Sequence, residues 1–531
     1  MTALQPAQQG PTGDGGGTVT GEGTPRAPVP GPAGGSGDGP GGDRVEETGA
    51  GPAAAVRRIP FPVVDEIARH CLQEEEPETV HIEVHLPGRL DHERLRAAFR
   101  EALCRHPRIL MRQAPVRWWR RRYEWELTGV PDTDPVSFPP PRPDALVRAR
   151  ERALTHCPPL ETSPPVRLEV VEQPGPSGPA PEGAYADGGS VLMLTINHTA
   201  LDGPATLRVL ATAAELYGGA QHPPAPPPVR APQAPASGAE PVPAAPSGGP
   251  WPVRPARIAA DSRHPFEGNG MLVVELPVPA RPPRTDGRAP YTVNDQLLVA
   301  TCLMVARWNH LHDRPTAPVV VTMPVDDRPR GTDMPIGNGT RLVSVGFGPE
   351  ERQDATLLTA DPPDPDAVAR LLRRTAARTR SLKSAPGSQL GLTGALLTAP
   401  VLPVGLRGAL TRALRRAAAP WTSTTLLSNI GRIPYPLDFG EAGRPTAVWF
   451  SAPARMPRGL TVTTASVGGR IQLALRWSRT LLDDEAGVQL LALFEQSLAA
   501  TAWTAPGNGN GSRNGNGNGT QEPGGFSGGA S

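Results

Sequence analysis

The tightest constraint on what this chain can become lies between Val191 and Leu216. Val191-Leu192-Met193-Leu194-Thr195 is short, apolar and rich in strand formers, which predicts a buried strand. Pro204 to Leu216 places Leu207, Leu210 and Ala214 on one face of a helix. Between them runs Ile196-Asn197-His198-Thr199-Ala200-Leu201-Asp202-Gly203. His198 therefore falls where a core strand ends, a place that aims a side chain while leaving it open to a cleft. Asp202 follows four residues later, just before Gly203, which can relax the backbone at the helix start. An imidazole that titrates near neutrality, with a carboxylate close in sequence, is a minimal kit for general-base chemistry. The same spacing also suits a buried histidine beside a helix-capping aspartate, so the pair alone leaves both readings open.

The rest of the chain narrows the choice. Its 531 residues exceed what one small core needs, and its formal net charge of +1 gives no bulk electrostatic case for nucleic acid or an anionic membrane. Cys71, Cys104, Cys157 and Cys302 are scattered without a C-x-x-C pair, which argues against a zinc site and for free thiols in a reducing cytoplasm. The N-terminus has no apolar core of a secretory signal. The longest apolar run, Leu390 to Leu410, is broken by Pro400, Pro403 and Arg407, so no membrane span is expected.

The 68 prolines and 59 glycines are concentrated in a few segments. Residues 1–55 and 504–531 have too few large apolar side chains to offset ordering entropy and are expected to be disordered. Residues 218–255 read as a Pro-rich linker, and about 174–189 as a long loop. This leaves two blocks, 56–217 and 256–503. In the first, Val80–Leu86 alternates as a half-buried strand, Asp91 can cap a helix carrying Leu95, Phe99 and Leu103, and Ile109–Arg112 starts another strand. Arg117-Trp118-Trp119-Arg120-Arg121-Arg122-Tyr123 reads as a solvated strand face, with docking of an acidic carrier protein as a further option. In the second block, strands are expected at about 272–276, 318–323, 422–427, 446–451, 459–466 and 470–477, the last two joined by Gly468-Gly469. Helices are expected from Thr292, with Asp295 completing a capping box, and at about 366–383, 404–417 and 483–500. Mixed strands and helices in both blocks predict two facing α/β sandwiches with a ligand cleft between them.

Asn197-His198-Thr199-Ala200-Leu201-Asp202-Gly203 resembles the His-His-x-x-x-Asp-Gly motif of the condensation-domain and CoA-dependent acyltransferase superfamily, with Asn197 in place of the first histidine. Arg105-His106-Pro107, Thr292-Val293-Asn294-Asp295, Met323 to Pro329 with Ile336-Gly337-Asn338, Ser428-Asn429-Ile430-Gly431 and Asp438-Phe439-Gly440 resemble further segments of that family, in its order.

The resemblance implies an α/β (α+β) fold of two chloramphenicol-acetyltransferase-like lobes, a pseudo-dimer with a central tunnel, in one monomeric chain. It implies His198 as the base and Asp202 as a structural partner of Arg328. Gly203 would offer its backbone to the developing oxyanion, and Ser428 and Asn429 would add polar groups to the cleft, although a plain turn after a strand explains the last two equally well. No bound cofactor or metal is expected; acyl-CoA or an acyl-phosphopantetheine on a carrier protein would be the donor, and a small amine or alcohol the acceptor. Three functions follow: an amide- or ester-forming acyltransferase of natural-product assembly, an ester-forming enzyme acting on a lipid or polyketide alcohol, or an inactive module that docks a carrier protein. Asn197 is the one feature that favours the last.

Overall fold

Local signals place the elements that surround His198. Asp91 accepts a hydrogen bond from the Arg94 N–H at 2.7 Å and caps the next helix. Thr292 and Asp295 form a reciprocal capping box. Gly468 and Gly469, both at positive φ, close a hairpin. The computed structural model describes residues 57–72, 76–174, 188–220, 254–284, 289–328, 336–352, 357, 363–384 and 391–504. The segments expected at 1–55, most of 174–189, 218–255 and 504–531, and Pro329, lie outside the described residues.

The strands are β1 (Arg57–Pro60), β2 (Thr79–Leu86), β3 (Met111–Gln113), β4 (Glu124–Leu127), β5 (Val136–Ser137), β6 (Val166–Glu172), β7 (Ser190–Asn197), β8 (Asn269–Pro277), β9 (Val319–Asp326), β10 (Thr340–Phe347), β11 (Thr425–Arg432), β12 (Ala447–Ser451), β13 (Leu460–Val467) and β14 (Arg470–Ser478). The helices are α1 (Val63–His70), α2 (His92–Arg105), α3 (Ala145–Thr155), α4 (Gly203–Tyr217), α5 (Val293–Leu311), α6 (Pro349–Arg352), α7 (Pro365–Ser384), α8 (Gly391–Thr398), α9 (Val404–Ala418) and α10 (Asp484–Ala500).

Two main sheets carry the fold, in the orders β12-β2-β7-β6-β5 and β10-β9-β11-β13-β14-β8, with a small sheet β1-β4-β3 beside them. Each main sheet has its own apolar core, one built around Ile82, Leu194 and Leu168 with α2 and α4, the other around Val321, Val462 and Leu473 with α5 and α10. This is the mixed α/β architecture of two chloramphenicol-acetyltransferase-like lobes. Strand β12 comes from the second block of sequence yet pairs antiparallel with β2, so Ser451 lies opposite His81. The second block thus supplies an edge strand to the first sheet.

The face of the first sheet opposite its core is polar. His81 stands in register with Thr195 on one side and Ser451 on the other. Arg476 of β14 is fully buried and donates to the Thr79 carbonyl at 2.8 Å and to Asn269 Oδ1 at 2.6 Å, tying the two sheets together. Burial pulls the Arg476 guanidinium down to about 9.

Two local expectations change. The strand expected at Thr422–Leu427 is shifted: β11 begins at Thr425 and continues through Ser428 and Asn429 to Arg432, with a bulge between Asn429 and Gly431. Arg117–Arg122 is not a strand face. It forms a loop with an Arg120 N–H to Arg117 O turn, because Pro115 removes a ladder donor just after β3. Its carbonyls have other partners, described below.

Candidate active site

Strand β7 is buried along its full length and ends at Asn197. The chain then turns tightly, with the Ala200 N–H donating to Asn197 O at 3.0 Å. The Asn197 side chain holds this turn from within: Oδ1 accepts from the Thr199 N–H at 3.0 Å and Nδ2 donates to Pro158 O at 3.0 Å. The His198 N–H donates to Glu78 O at 2.8 Å, so β2's leading end fixes the backbone of the histidine.

The His198 ring is half-buried, and its Nδ1 lies 3.0 Å from the Leu201 carbonyl oxygen. A carbonyl can only accept, so Nδ1 carries a proton; in the neutral form of the ring the lone pair then lies on Nε2. Among the described residues Nε2 has no hydrogen-bond partner.

Asp202 begins α4. Its Oδ1 accepts from the Ala205 N–H at 3.1 Å as a helix cap. Its Oδ2 accepts from the Gly339 N–H at 2.9 Å and is ion-paired with Arg328 Nη2. Asp202 and Arg328 are both buried. Burial pushes the Asp202 carboxyl up from its ordinary range, against the Arg328 guanidinium and the Gly339 and Ala205 N–H groups. With both oxygens engaged, Asp202 is placed to brace the turn and not to take a proton. The guanidinium also donates to Gly337 O at 3.2 Å. A Cβ at Gly339 would overlap the Arg328 side chain, so only glycine lets the arginine lie flat here.

Three residues not expected at the site complete the brace. Asn338 Nδ2 donates to Thr199 O at 2.9 Å, to His198 O at 3.2 Å and to Asp65 Oδ1 at 3.0 Å. Asp65 Oδ2 accepts from Trp125 Nε1 at 2.9 Å. Burial pushes the Asp65 carboxyl up to about 6, while Asn338, Trp125 and Arg108 hold it down and Asp202 adds to the rise. The third is Glu78, through its backbone. Asp65 and Glu78 carry no local pattern that marks them, and Asn338 was legible only as part of the Ile336-Gly337-Asn338 run.

Gly203 is the first residue of α4 and is not at positive φ; a Cβ there would meet Phe450 and Ile430 at ordinary contact distance, 3.6 and 4.0 Å. The expected backbone relaxation at Gly203 is therefore not needed, because Asp202 itself supplies the extended cap residue. Ser428 and Asn429 lie on β11 rather than in a turn. Asn429 is occupied within the second lobe, donating to Asn294 Oδ1 at 3.2 Å and accepting from the Gly431 N–H at 2.9 Å. Among the described residues neither side chain is hydrogen-bonded to the His198 turn. His106 is also outside the turn; its Nε2 lies 2.7 Å from Thr212 Oγ1 of α4.

The site thus joins a strand end and a helix start of one lobe to a strand and loop of the other. The chain as a whole has the condensation-domain and chloramphenicol-acetyltransferase-like fold over most of its length. Trichothecene 15-O-acetyltransferase from Fusarium sporotrichioides is similar with a TM-score of 0.55 at 10% identity, over 84% of this chain and 96% of that one. The starter condensation domain of rhizomide synthetase, solved with C8-CoA and Leu-SNAC, is similar with a TM-score of 0.51 at 13% identity, over 83% of this chain and 94% of that one. In sequence, uncharacterised proteins of two Mycobacterium tuberculosis strains are 28% identical over 436 residues, covering 79% of this chain and 94% of theirs. No protein-family model matches the sequence.

Proposed function

We propose that the chain is an acyltransferase that moves an acyl group from a thioester to an amine or alcohol, with His198 as its general base. The single observation that carries this reading is the His198 tautomer: Nδ1–H given to Leu201 O, Nε2 left with its lone pair. In the proposed step, Nε2 takes the proton of the acceptor N–H or O–H as that atom attacks the thioester carbonyl carbon. The C–S bond then breaks, and the imidazolium returns the proton to the departing thiolate. A thioester is already activated, so no covalent acyl-enzyme is required. Asp202 and Arg328 are positioning residues that hold the turn through the second lobe. The Gly203 N–H, at the positive end of α4, is the proposed donor to the oxyanion. Ser428 keeps a supporting place at the lobe junction, and Asn429 acts there only by shaping the β11 bulge.

The donor is an acyl-CoA or an acyl-phosphopantetheine on a carrier protein, read from the C8-CoA bound by the rhizomide synthetase domain. In this reading the acceptor enters between the lobes, with natural-product assembly as the setting. Asn197 does not argue for an inactive module: its side chain is spent inside the turn, holding His198 in place.

Intact-mass analysis of acyl-CoA and acyl-carrier panels, each offered amine and alcohol acceptors, tests the proposal. A product mass that disappears in His198→Ala supports it. Carrier-protein binding without product, unchanged by His198→Ala, replaces it with the docking module.

A further inference from the structure

Half of the exposed large apolar side chains of the described chain lie on one surface, formed by α8, α9, the turn between them and the Arg117–Arg122 loop. On α9, Leu406, Leu410 and Leu414 fall at i, i+4 and i+8, so they share one face, and all three are exposed. Val401 and Leu402 extend that face before the helix begins. Trp118 and Trp119 are 65% and 48% exposed.

The loop is built onto the helix. The first two N–H groups of α9, which no helix can satisfy internally, donate to loop carbonyls: Val404 N to Arg120 O at 2.7 Å and Gly405 N to Trp118 O at 2.9 Å. A Cβ at Gly405 would sit 3.1 Å from Trp118 O, so glycine permits this close approach.

The chemistry around this apolar face has one sign. No Asp or Glu occurs between Asp366 and Asp438, nor between Ala114 and Tyr123. Arg412 and Arg416 are exposed along the flank of α9, and Arg117, Arg120, Arg121 and Arg122 are exposed in the loop. Among the described residues none of these six is ion-paired with a carboxylate. The chain's charge is balanced overall, so this is a local separation of charge.

We propose that this surface is a peripheral docking site for an anionic lipid bilayer. A basic helix with leucines on one face and tryptophans at its end lies in the interface plane, apolar face in the acyl boundary and arginines at the phosphates. An acidic carrier protein would match the arginines but would leave the leucine stripe and the tryptophan pair exposed to water. No described helix is long and apolar enough to cross a membrane, so the contact is one-sided.

The surface is coupled to the His198 turn through a single short helix. Arg407 of α9 is buried and ion-paired with Glu66 of α1 at 2.6 Å, and Gly408 packs against His70. The neighbouring Asp65 of the same helix reaches Asn338 and so the turn. On the acyl-transfer reading, on which this last point rests, the bilayer is where a lipid donor or acceptor would be collected.

Sedimentation of the full chain with phosphatidylcholine vesicles, with and without phosphatidylglycerol, tests the proposal. The protein should pellet with the anionic vesicles and be released by salt. Arg412→Ala with Arg416→Ala should weaken binding by about thirtyfold, and Leu406→Gln, Leu410→Gln and Leu414→Gln together should abolish it. These side chains are exposed, so the melting temperature should hold. Brominated lipid should quench fluorescence that is lost in Trp118→Ala with Trp119→Ala. His198→Ala should bind as wild type, which separates this contact from the catalytic reading. Wild-type protein left in the supernatant at low salt, undiminished binding by the leucine variant, or capture of an acidic carrier protein without vesicle binding would each overturn it.

Discussion

Cutting the Asp202–Arg328 pair from either side should have unequal consequences. Asp202→Ala leaves a guanidinium that cannot deprotonate, buried and without its carboxylate. That costs about 3–5 kcal/mol, and loss of the Ala205 cap adds about 1 kcal/mol. Arg328→Met leaves a carboxylate that still accepts from the Ala205 and Gly339 N–H groups. It can also neutralise itself by taking a proton, so its cost at pH 7 should be smaller, about 2–3 kcal/mol. The sign of the pH dependence follows. Removing the guanidinium raises the folded-state Asp202 pKa further above its ordinary 3.8, so the folded variant binds more protons than the unfolded chain across that interval. Stability of Arg328→Met relative to wild type should therefore recover as pH falls, whereas Asp202→Ala should not recover. The double variant should cost less than the sum of the singles, by about 2–3 kcal/mol. Urea unfolding followed by circular dichroism at pH 7 and pH 5, on all four proteins, measures these terms. Equal single costs, or strict additivity, would refute a buried pair braced across the two lobes.

Four further outcomes follow from the same geometry. His198→Ala should lower acyl transfer by about 10²–10⁴-fold with an unchanged melting temperature, measured in single-turnover assays. Gly339→Ala should destabilise the chain and reduce turnover because its Cβ displaces Arg328, whereas Gly203→Ala should be close to neutral in both; thermal melts and rates on the two variants decide this. His81 is fully buried and pulled down to about 3 by burial, with Arg476 and Arg150 adding to the shift against Glu83. The unfolded chain therefore binds the extra proton first, and stability present above pH 6.5 should be lost progressively toward pH 3. His81→Gln should flatten that part of a stability–pH curve. Asp65 has the opposite sign: its folded pKa of about 6 lies above the ordinary 3.8, so stability falls as pH rises through this window. Asp65→Asn should remove that slope, while leaving one of the Asn338 and Trp125 donors without its acceptor.

Much of the local structure was legible because it depends on neighbours in sequence. The strand into Asn197, the Asp91 and Thr292 caps and the Gly468-Gly469 hairpin each arise from a few adjacent residues whose periodicity or φ preference admits one solution. The same local logic set His198 at a strand end, and the family resemblance paired Asp202 with Arg328. What local pattern missed has no local cause. Strand β12 enters the first sheet, Asn338 spans the His198 turn and Asp65, and a tryptophan loop caps α9 far downstream. Each of these joins residues more than a hundred positions apart, where an unpaired N–H, carbonyl or carboxylate finds its partner only after both lobes have packed. The sequence by itself determined which residue could serve as base and on what kind of element it sits. The tertiary structure alone decided the tautomer of His198, the brace behind it and the leucine face left bare on the surface, because hydrogen-bond partners and exposure are properties of the assembled chain.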